Sequence, residues 1–420
     1  MADTTFSDVT GTPIVATWLN DVNNHVYKGK VLDGTSWTSV TDPTYGAVGD
    51  GVADDAPAIN AAWQHIKTTG GVLYLAPKTY LCKSQLLFDV DLTAPRNYLV
   101  VGYGATITSS SAVTGHAIKV SGGFNNYGLQ IEGLNFNHRN NTTVNGCIQA
   151  VATANLKIVN CTVEHHNTKS TYAGIEIGPS TPGNANTGSF WTTIKNFRTR
   201  MRSSGDGTDA AVGVRLVASA NATIIEQCSF SSVVDAIQLV EDGTITGGIP
   251  NGVVIRENAF EGVSVAVKCV ATPSTGSMPT GLRVIDNRVE STTTFFSMTT
   301  GGAAASNASH PPILRDNYLV SGSVTNAVVN PNNQLYSISH PRFFGISELN
   351  NEVLNASKRV TLNNTQANFE IADINGISTF DSGHLVLGTF HIWVDSSSRL
   401  RIKNGVPTSQ TDGVVVGTQT

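Results

Sequence analysis

A small group of carboxylates and cations stands out because its members recur at matching places in short apolar segments. Glu176 lies within GIEI and Arg215 within GVRL, whereas Asp235 and Glu241 flank AIQL. A carboxylate that takes a proton or attacks a carbon, paired with a carboxyl that donates a proton, performs general acid–base or nucleophilic chemistry. Because a neighbouring cation favours a charged carboxylate, Arg215 suits Glu176 to the role of base or nucleophile. Asp235 and Glu241 are the candidate acids.

Three further polar residues occupy the same middle position as Glu176 and Arg215. They are Gln149 in CIQA, Gln238 in AIQL and Lys268 in AVKC. In a strand whose flanking apolar residues point inward, the middle residue points outward. We call the column Gln149, Glu176, Arg215, Gln238 and Lys268 the polar ladder. Stacked strands would space its members by about 4.8 Å and offer a row of hydrogen-bonding groups to a linear ligand.

The segments belong to a repeat of about 30 residues. Aligning IIEQCSF, VIRENAF, RVIDNRV and LRDNYLV places Cys228, Asn258, Asn287 and Asn317 in one column, at intervals of 30, 29 and 30 residues. Such a period indicates a solenoid. Because the segments are short, alternate in polarity and are rich in Val, Ile and Phe, they predict strands. We therefore predict an all-β fold, a single-stranded right-handed parallel β-helix, with the asparagine amides stacked at one bend.

Composition limits the possible partners and location. The chain of 420 residues has 14% charged residues, 40 glycines and a formal net charge of −5, which gives no reason to expect nucleic acid. It contains no apolar stretch long enough to predict membrane insertion and no signal peptide at its start. Five cysteines without CxxC spacing predict buried free thiols, synthesis in a reducing cytoplasm and no metal site.

The two ends differ from the repeats. Residues 14–27 place Ile14, Trp18, Leu19, Val22 and Val26 on one face of a short amphipathic helix. A second helix is predicted from Ala58 to Ile66, capped by Asp54 or Asp55 and suited to closing the end of the solenoid. GVLYLAPKTYL, which follows, alternates as a strand, and so do FHIWVD, RLRIKNG and DGVVVGT near the carboxyl end.

The motif Tyr45-Gly-Ala-Val-Gly-Asp50-Gly-Val-Ala-Asp-Asp55, the Ala-rich helix with Trp63 and the GVLYLAPKTYL strand resemble the opening of pectate-lyase-like β-helix proteins, especially bacteriophage tailspikes. Residues 10–27 resemble the short virion-attachment segment of such proteins, and residues 390–420 resemble the closing segment of phage tail proteins. This opening motif is structural and is shared by lyases, hydrolases and non-enzymatic members. No catalytic motif of the family aligns residue by residue.

The resemblance implies a homotrimeric phage appendage that binds and degrades the capsule or lipopolysaccharide O-antigen of a bacterium. Residues 1–40 would form the virion-attachment segment, held by a tail or baseplate protein, and residues 41–340 the β-helix with its capping helix. Residues 341–420 would form a β-rich module for trimerisation and receptor contact. The protein would be part of the virion and would act at the bacterial cell surface.

For such a substrate the acids predict endo-glycosidic hydrolysis, which needs two carboxylates about 5 to 5.5 Å apart for retention or about 6.5 to 9.5 Å apart for inversion. Asp235 and Glu241 follow Glu176 by two coils, which suits inversion. The two longest irregular segments, residues 178–191 and 200–213, flank Glu176 and Arg215. They contribute Trp191 as a candidate sugar platform and Asp206 and Asp209 as reserve acids.

Two alternatives remain open from the sequence. A polysaccharide lyase acting by β-elimination on a uronic-acid polymer would need a base and cations, for which Lys268, Arg215, Arg200, His165 and His166 are available. An adhesin would use the ladder and Trp191 to bind glycan without cleaving it. Because adjacent histidines on a strand point to opposite faces, they do not predict a metal pair, and no cofactor is expected.

Overall fold

The computed structural model describes most of the solenoid and part of each end. Its described residues are 6–7, 13–14, 37–90, 97–122, 128–139, 141–165, 171–178, 188–200, 211–241, 249–270, 279–299, 312–320, 323–329, 337–339, 342–343, 385–387, 389–409 and 411–417. They fall into two compact units, residues 1–361 and 362–420. The predicted amphipathic helix lies outside the described residues except at Ile14, where Pro13–Ile14 pairs antiparallel with Phe6–Ser7.

Three long sheets build the first unit, and successive strands of the chain pass from one sheet to the next. The ladder sheet contains Leu86–Asp89, His116–Ser121, Gly146–Val151, Ala173–Gly178, Val212–Val217, Asp235–Val240, Val265–Val270, Thr292–Thr299 and Val324–Val329. The second sheet contains Trp37–Ser39, Gly71–Tyr74, Tyr98–Val101, Leu129–Glu132, Lys157–Val159, Thr193–Lys195, Ile224–Glu226, Val254–Arg256, Arg283–Ile285, Ile313–Arg315 and Ser337–Ser339. The third sheet contains Asp50–Asp54, Thr79–Cys82, Thr106–Ser109, Asn135–Asn137, Thr162–His165, Arg198–Thr199, Ser229–Ser231, Ala259–Glu261, Arg288–Glu290, Tyr318–Leu319 and Arg342–Phe343.

Every pairing within these sheets is parallel and joins a strand to its equivalent one coil away, as in Ile225 with Ile255 and Phe230 with Phe260. Inward residues such as Ile148, Ile175, Val214 and Ile237 are fully buried and stack along the axis. A minor parallel pair, Ser189–Phe190 with Ala220–Asn221, adds to one side. The predicted parallel β-helix is therefore confirmed, with three strands per coil.

The asparagine column lies at the bend between the second and third sheets, as predicted. Asn287 accepts hydrogen bonds on Oδ1 from the backbone N–H and the Nδ2 of Asn258, both at 3.0 Å. Asn317 accepts the equivalent bonds from Asn287 at 3.1 and 2.9 Å, and Asn258 accepts from the backbone N–H of Cys228 at 2.9 Å. Each amide thereby fixes the bend of the preceding coil, and all three are buried.

The helix Ala56–Thr69 packs on the first coils with Ile59, Trp63 and Ile66 fully buried. The ring of Trp63 lies 4.8 Å from that of Phe88 and 5.6 Å from that of Tyr98. Asp55 stands at the N-cap position, yet its carboxylate does not cap the helix. It accepts hydrogen bonds from the backbone N–H groups of Val48 at 2.7 Å and Gly49 at 3.2 Å. Of the two predicted capping residues, Asp54 is the one whose Oδ1 accepts from the first helical backbone N–H, that of Ala56, at 3.2 Å.

The segment predicted as one strand after this helix forms two. Gly71–Tyr74 joins the second sheet and Thr79–Cys82 joins the third, with a bend at residues 75–78. Each half keeps the predicted alternation. At this bend the chain turns from the second sheet to the third sheet.

The second unit contains an antiparallel sheet formed by Leu385–Leu387, Phe390–Val394, Leu400–Asn404 and Val414–Val415. Buried Asp395 accepts a hydrogen bond from Arg401 Nε at 2.5 Å, and Arg399 Nε donates to the same oxygen at 3.1 Å. The predicted strands near the carboxyl end are therefore present and do not continue the solenoid pairing.

All five cysteines are free and buried, in agreement with the predicted thiols. Burial raises the pKa of the Cys161, Cys228 and Cys269 thiols to about 12. In the part of the chain that the structure describes, no helix is long and apolar enough to cross a membrane.

Candidate active site

The polar ladder is a column of register partners in the ladder sheet. Gln149 pairs with Glu176, Glu176 with Arg215, Arg215 with Gln238, and Gln238 with Lys268. All five side chains are partly exposed, while the residues on either side of each are mostly buried. The outward direction inferred from the alternation is therefore the observed one.

Glu176 is held by donors from the coils on both sides. Gln149 Nε2 donates to Oε1 at 2.8 Å, and Arg215 Nη1 donates to Oε2 at 3.2 Å. Arg215 also donates from Nε to Gln238 Oε1 at 3.1 Å and from Nη1 to the Thr171 carbonyl at 3.1 Å. The carboxylate of Glu176 is thus oriented and paired with a cation, while 21% of its side-chain surface stays exposed.

The hydrogen-bonded chain continues through Asp235 to Lys268. Gln238 Nε2 donates to Asp235 Oδ2 at 2.6 Å, and Lys268 Nζ contacts the same oxygen at 3.0 Å. Only 4% of the Asp235 side chain is exposed, and its buried Oδ1 has no hydrogen-bond partner among the residues that the structure describes. Six side chains from Gln149 to Lys268 therefore form one continuous polar network along the sheet.

Asp235 and Glu241, the two candidate acids, occupy different environments. Asp235 reaches the ladder, as described. Glu241 comes directly after the strand Asp235–Val240 and continues the inward-facing series of Ile237 and Leu239. Only 3% of this residue is exposed. Its backbone N–H donates to the Val270 carbonyl at 2.8 Å. Of the two, Asp235 is the carboxylate that the structure brings to Glu176 through intermediate side chains.

The column extends one coil beyond the predicted ladder, to Lys119. This lysine pairs with Gln149, and its ammonium has no carboxylate partner within the described ranges, whereas Arg215 and Lys268 are both ion-paired. Leu87, 46% exposed, is the next member beyond Lys119. The segment HAIKVS repeats the pattern of CIQA and AVKC, so alternation could have identified Lys119.

A buried histidine lies behind the ladder. His116 is the register partner of Gly146, and within the described ranges its buried Nε2 has no hydrogen-bond partner. A Cβ on Gly146 would lie 2.5 Å from the His116 ring and 1.8 Å from the Ala173 carbonyl oxygen, so only glycine fits. Burial lowers the pKa of His116 to about 4, with nearby Glu176 opposing the shift. The imidazole is therefore neutral around pH 7.

The remaining predicted residues are dispersed. His165 pairs with Asn137 in the third sheet, away from the ladder sheet. Trp191 is 61% exposed at the bend before Thr193–Lys195, with its ring 5.9 Å from that of Phe190. His166, Asp206 and Asp209 lie outside the described residues, as do residues 179–187 and 201–210 of the two irregular segments. Over the described ranges, no group of His, Cys, Asp and Glu side chains is arranged to hold a metal ion.

Comparison with known protein families shows the family to which the chain belongs. The capsule depolymerase family matches residues 103–418, three quarters of the chain and all of the ladder. A second model, described as rhamnogalacturonase A/epimerase, pectate lyase-like, matches residues 37–114. The chain therefore belongs to the capsule depolymerase family and is a polysaccharide-degrading enzyme. This confirms the resemblance to depolymerases with a pectate-lyase-like β-helix.

Solved structures with the same fold are distant in sequence. ORF18 of Geobacillus virus E2 is 12% identical over 95% of this chain and 78% of its own, with a TM-score of 0.50. A tailspike protein mutant of E. coli bacteriophage HK620 in complex with pentasaccharide is 13% identical over 80% of this chain and 59% of its own, with a TM-score of 0.48. The Family 28 exopolygalacturonase of Yersinia enterocolitica is 12% identical over 73% of this chain and 71% of its own, with a TM-score of 0.48. No curated protein sequence matches the chain.

Proposed function

We propose that this capsule depolymerase cleaves internal glycosidic bonds of a bacterial surface polysaccharide by hydrolysis, on the polar ladder, with Glu176 as base or nucleophile. The observation that carries the proposal is the position of Glu176. It is the one carboxylate among the five ladder residues, partly exposed and oriented from one side by Gln149 and from the other by Arg215. Held in this way, it presents charge to a ligand without first reorganising.

Asp235 is the proposed second carboxylate. One strand, Val212–Val217, separates its strand from that of Glu176, so the two strand axes are about 9.6 Å apart. This strand spacing is slightly longer than the about 6.5 to 9.5 Å between the two carboxyl groups of an inverting hydrolase, in which a water fits between the acids. Because Lys268 contacts Asp235, release of that contact on substrate binding would be needed before Asp235 donates a proton.

β-Elimination is a second candidate, favoured by one specific observation. Glu176 and Asp235 each contact a cation, whereas hydrolysis needs one carboxyl that donates a proton. In a lyase the base removes the α-proton of the uronate, and the leaving glycosidic oxygen takes a proton from that base or from water, so a second carboxyl is not required. Cations such as Lys119 and Arg215 would neutralise the uronate carboxylate. This alternative requires a uronic-acid polymer.

Product analysis separates these reactions. Purified protein is incubated with capsular and O-antigen polysaccharides from a panel of bacteria, and the products are sized and their ends examined. Hydrolysis gives saturated oligosaccharides with new reducing ends, whereas β-elimination gives ends that absorb ultraviolet light. Tight binding without any change in polymer size would instead identify an adhesin and contradict the proposal.

The variant Glu176→Gln tests the assigned residue. It keeps the size and the hydrogen bond to Gln149 but removes the charge, so we expect turnover to fall about 10²- to 10⁴-fold with polysaccharide binding retained. Glu261→Gln, an exposed carboxylate on the third sheet, is the matched control and should retain full activity. If Glu176→Gln remains fully active, the ladder is not the cleaving site.

We further propose that the enzyme is a homotrimeric phage tailspike located on the virion. Residues 1–40 would attach it to the tail, and residues 341–420 would hold three chains together and contact the receptor. Two observations support this. Both ends resemble phage tail proteins, and Ser337–Ser339 and Arg342–Phe343 are edge strands that need covering. Sedimentation at micromolar concentration should give a trimer, and a stable monomer would contradict it.

A further inference from the structure

A groove of about 580 Å³ lies on a different side of the solenoid from the ladder. It follows the bend between the second and third sheets, outside the asparagine column, and Cys228 and Asn258 contribute to its floor. We call it the bend groove. Its volume falls within the range of pockets that bind small molecules and short segments of polymers, about 300 to 1,000 Å³.

One wall of the bend groove is a column of bend residues. Asn196, Gln227, Glu257 and Asp286 contribute one residue from each of four successive coils, and all have left-handed backbones with φ between 50° and 56°. Gln227 Nε2 donates to Glu257 Oε2 at 2.9 Å. The Asp286 carboxylate is exposed and has no hydrogen-bond partner in the described part of the chain. This wall therefore offers amide groups and a free carboxylate.

The other wall is the first outward column of the third sheet. Arg198 pairs with Ser229, Ser229 with Ala259, and Ala259 with Arg288. The two short side chains leave space between the two arginines, which stand three strand spacings apart, about 14 Å. One coil further, Tyr318 pairs with Arg288 and is 38% exposed. The groove thus runs along the solenoid axis between two arginines, of which Arg288 is also ion-paired with Glu290, and an aromatic ring lies beyond Arg288.

This combination of carboxylates, amides and guanidinium groups suits an uncharged, hydroxyl-rich segment of a ligand. A sugar hydroxyl both donates and accepts, and the walls supply carboxylate acceptors beside guanidinium donors. The partly exposed side chain of Tyr318 adds an apolar ring with a polar end. The opposite charges balance along the groove, so a strongly charged ligand has no advantage there.

We propose that the bend groove is a second polysaccharide-binding site, separate from the ladder and without a catalytic role. It would hold one segment of a long surface polysaccharide while another segment occupies the ladder of the same or another subunit. Two linked sites raise the effective concentration of the polymer at each of them. The inference rests on the polysaccharide substrate of the proposed function.

The variant Ala259→Arg fills the centre of the bend groove. The same column already carries arginine at Arg198 and Arg288, so this coil position accommodates the side chain. The matched control is Thr106→Arg, in the same column but five strands away from Ala259 and outside the groove. Asp286→Asn is a second, smaller variant, which removes the free carboxylate and keeps a residue type that tolerates the left-handed backbone.

Binding is measured in a Glu176→Gln background with the size-fractionated capsular polysaccharide that the wild-type protein depolymerises. We expect Ala259→Arg and Asp286→Asn to weaken binding of the long polymer by about fivefold or more, equivalent to losing one or two hydrogen bonds. Thr106→Arg should leave it unchanged. In the active protein, Ala259→Arg should raise KM for the long polymer and leave kcat for that polymer unchanged.

Two results would overturn the inference. Equal binding by Ala259→Arg, Asp286→Asn and Thr106→Arg would show that the groove does not bind the polymer. A change in sedimentation coefficient caused by Ala259→Arg would show that the groove is an interface between subunits instead. Both results leave the proposed function intact, because that is tested by the loss of cleavage in Glu176→Gln.

Discussion

Arg215 donates a hydrogen bond from Nη1 to Oε2 of Glu176 at 3.2 Å, and the two residues are register partners on adjacent strands. The same guanidinium donates to Gln238 and to the Thr171 carbonyl. Arg215 therefore connects the Glu176 carboxylate to Gln238 on the next coil and to Thr171, which precedes the strand of Glu176, Ala173–Gly178. A planar group with several fixed donors is needed for this arrangement.

Arg215→Lys should consequently impair activity although it preserves the charge. One ammonium cannot reproduce the separate bonds to Glu176, Gln238 and Thr171, so we expect kcat/KM to fall by about tenfold or more. Thermal unfolding should change little, because these contacts are partly exposed. Wild-type activity in Arg215→Lys would show that only the positive charge at this position matters.

Asn287→Ala should destabilise the solenoid strongly. It removes the acceptor of two bonds from Asn258 and the donor of bonds to the Ile255 and Ile285 carbonyls, all at 3.0 Å. Leaving buried polar groups unpaired costs about 1 to 3 kcal/mol for each. We expect the free energy of unfolding, measured with urea, to fall by at least about 2 kcal/mol. The adjacent exposed variant Asp286→Asn should change it by less than about 0.5 kcal/mol.

His116 should make the protein less stable in acid. Its pKa is lowered by burial to about 4, below the ordinary value of 6.5 that it regains on unfolding. Its contribution is therefore fully present above about pH 6.5 and is lost as the pH falls towards 4, because the unfolded chain takes up the proton first. His138, fully buried with its pKa lowered to about 3, acts in the same direction.

The variant His116→Gln isolates this contribution. Between pH 7 and pH 4 the wild-type protein should lose roughly 2 to 3 kcal/mol more unfolding free energy than the variant. His65→Gln, at an exposed position on the helix Ala56–Thr69, should follow the wild-type profile. Parallel pH profiles for wild type and His116→Gln would contradict the burial of a neutral imidazole.

The five thiols should resist alkylation in the folded protein. All are buried, and burial raises the pKa of each thiol above its ordinary value. Because the thiolate is the reactive species, iodoacetamide at pH 8 should label none within minutes under native conditions and all five in urea. Rapid native labelling of any one cysteine, located by mass spectrometry, would contradict its burial.

The repeat and its alternation were sufficient to predict the ladder and the asparagine column. Both depend on strand periodicity, which the apolar residues of each coil specify directly. Lys119 belongs to the same pattern. The link between Asp235 and Lys268 could not be read in this way, since Asp235 shares the alternation of the core residue Ile237 and reaches the ladder only from the end of its strand.

The bends were the harder part of the fold to predict. Gln227, Glu257 and Asp286 adopt left-handed backbones without being glycine, so the usual sequence signal for a sharp turn is missing. The role of Asp55 was likewise set by contacts with Val48 and Gly49, which the helix start alone does not reveal. Because Glu257 and Asp286 lack the glycine signal of a sharp turn, the sequence alone does not distinguish these acids of the bend groove from ordinary surface residues.

The pairing of every strand in the three long sheets with its equivalent in the next coil has a consequence for biosynthesis. No coil has to wait for a distant part of the chain, since its neighbour in space was the last segment to be translated. Coils can be added in the order in which they leave the ribosome, starting from the end closed by the helix Ala56–Thr69. If translation pauses within a coil, only the strand edges of the most recently added coil remain unpaired.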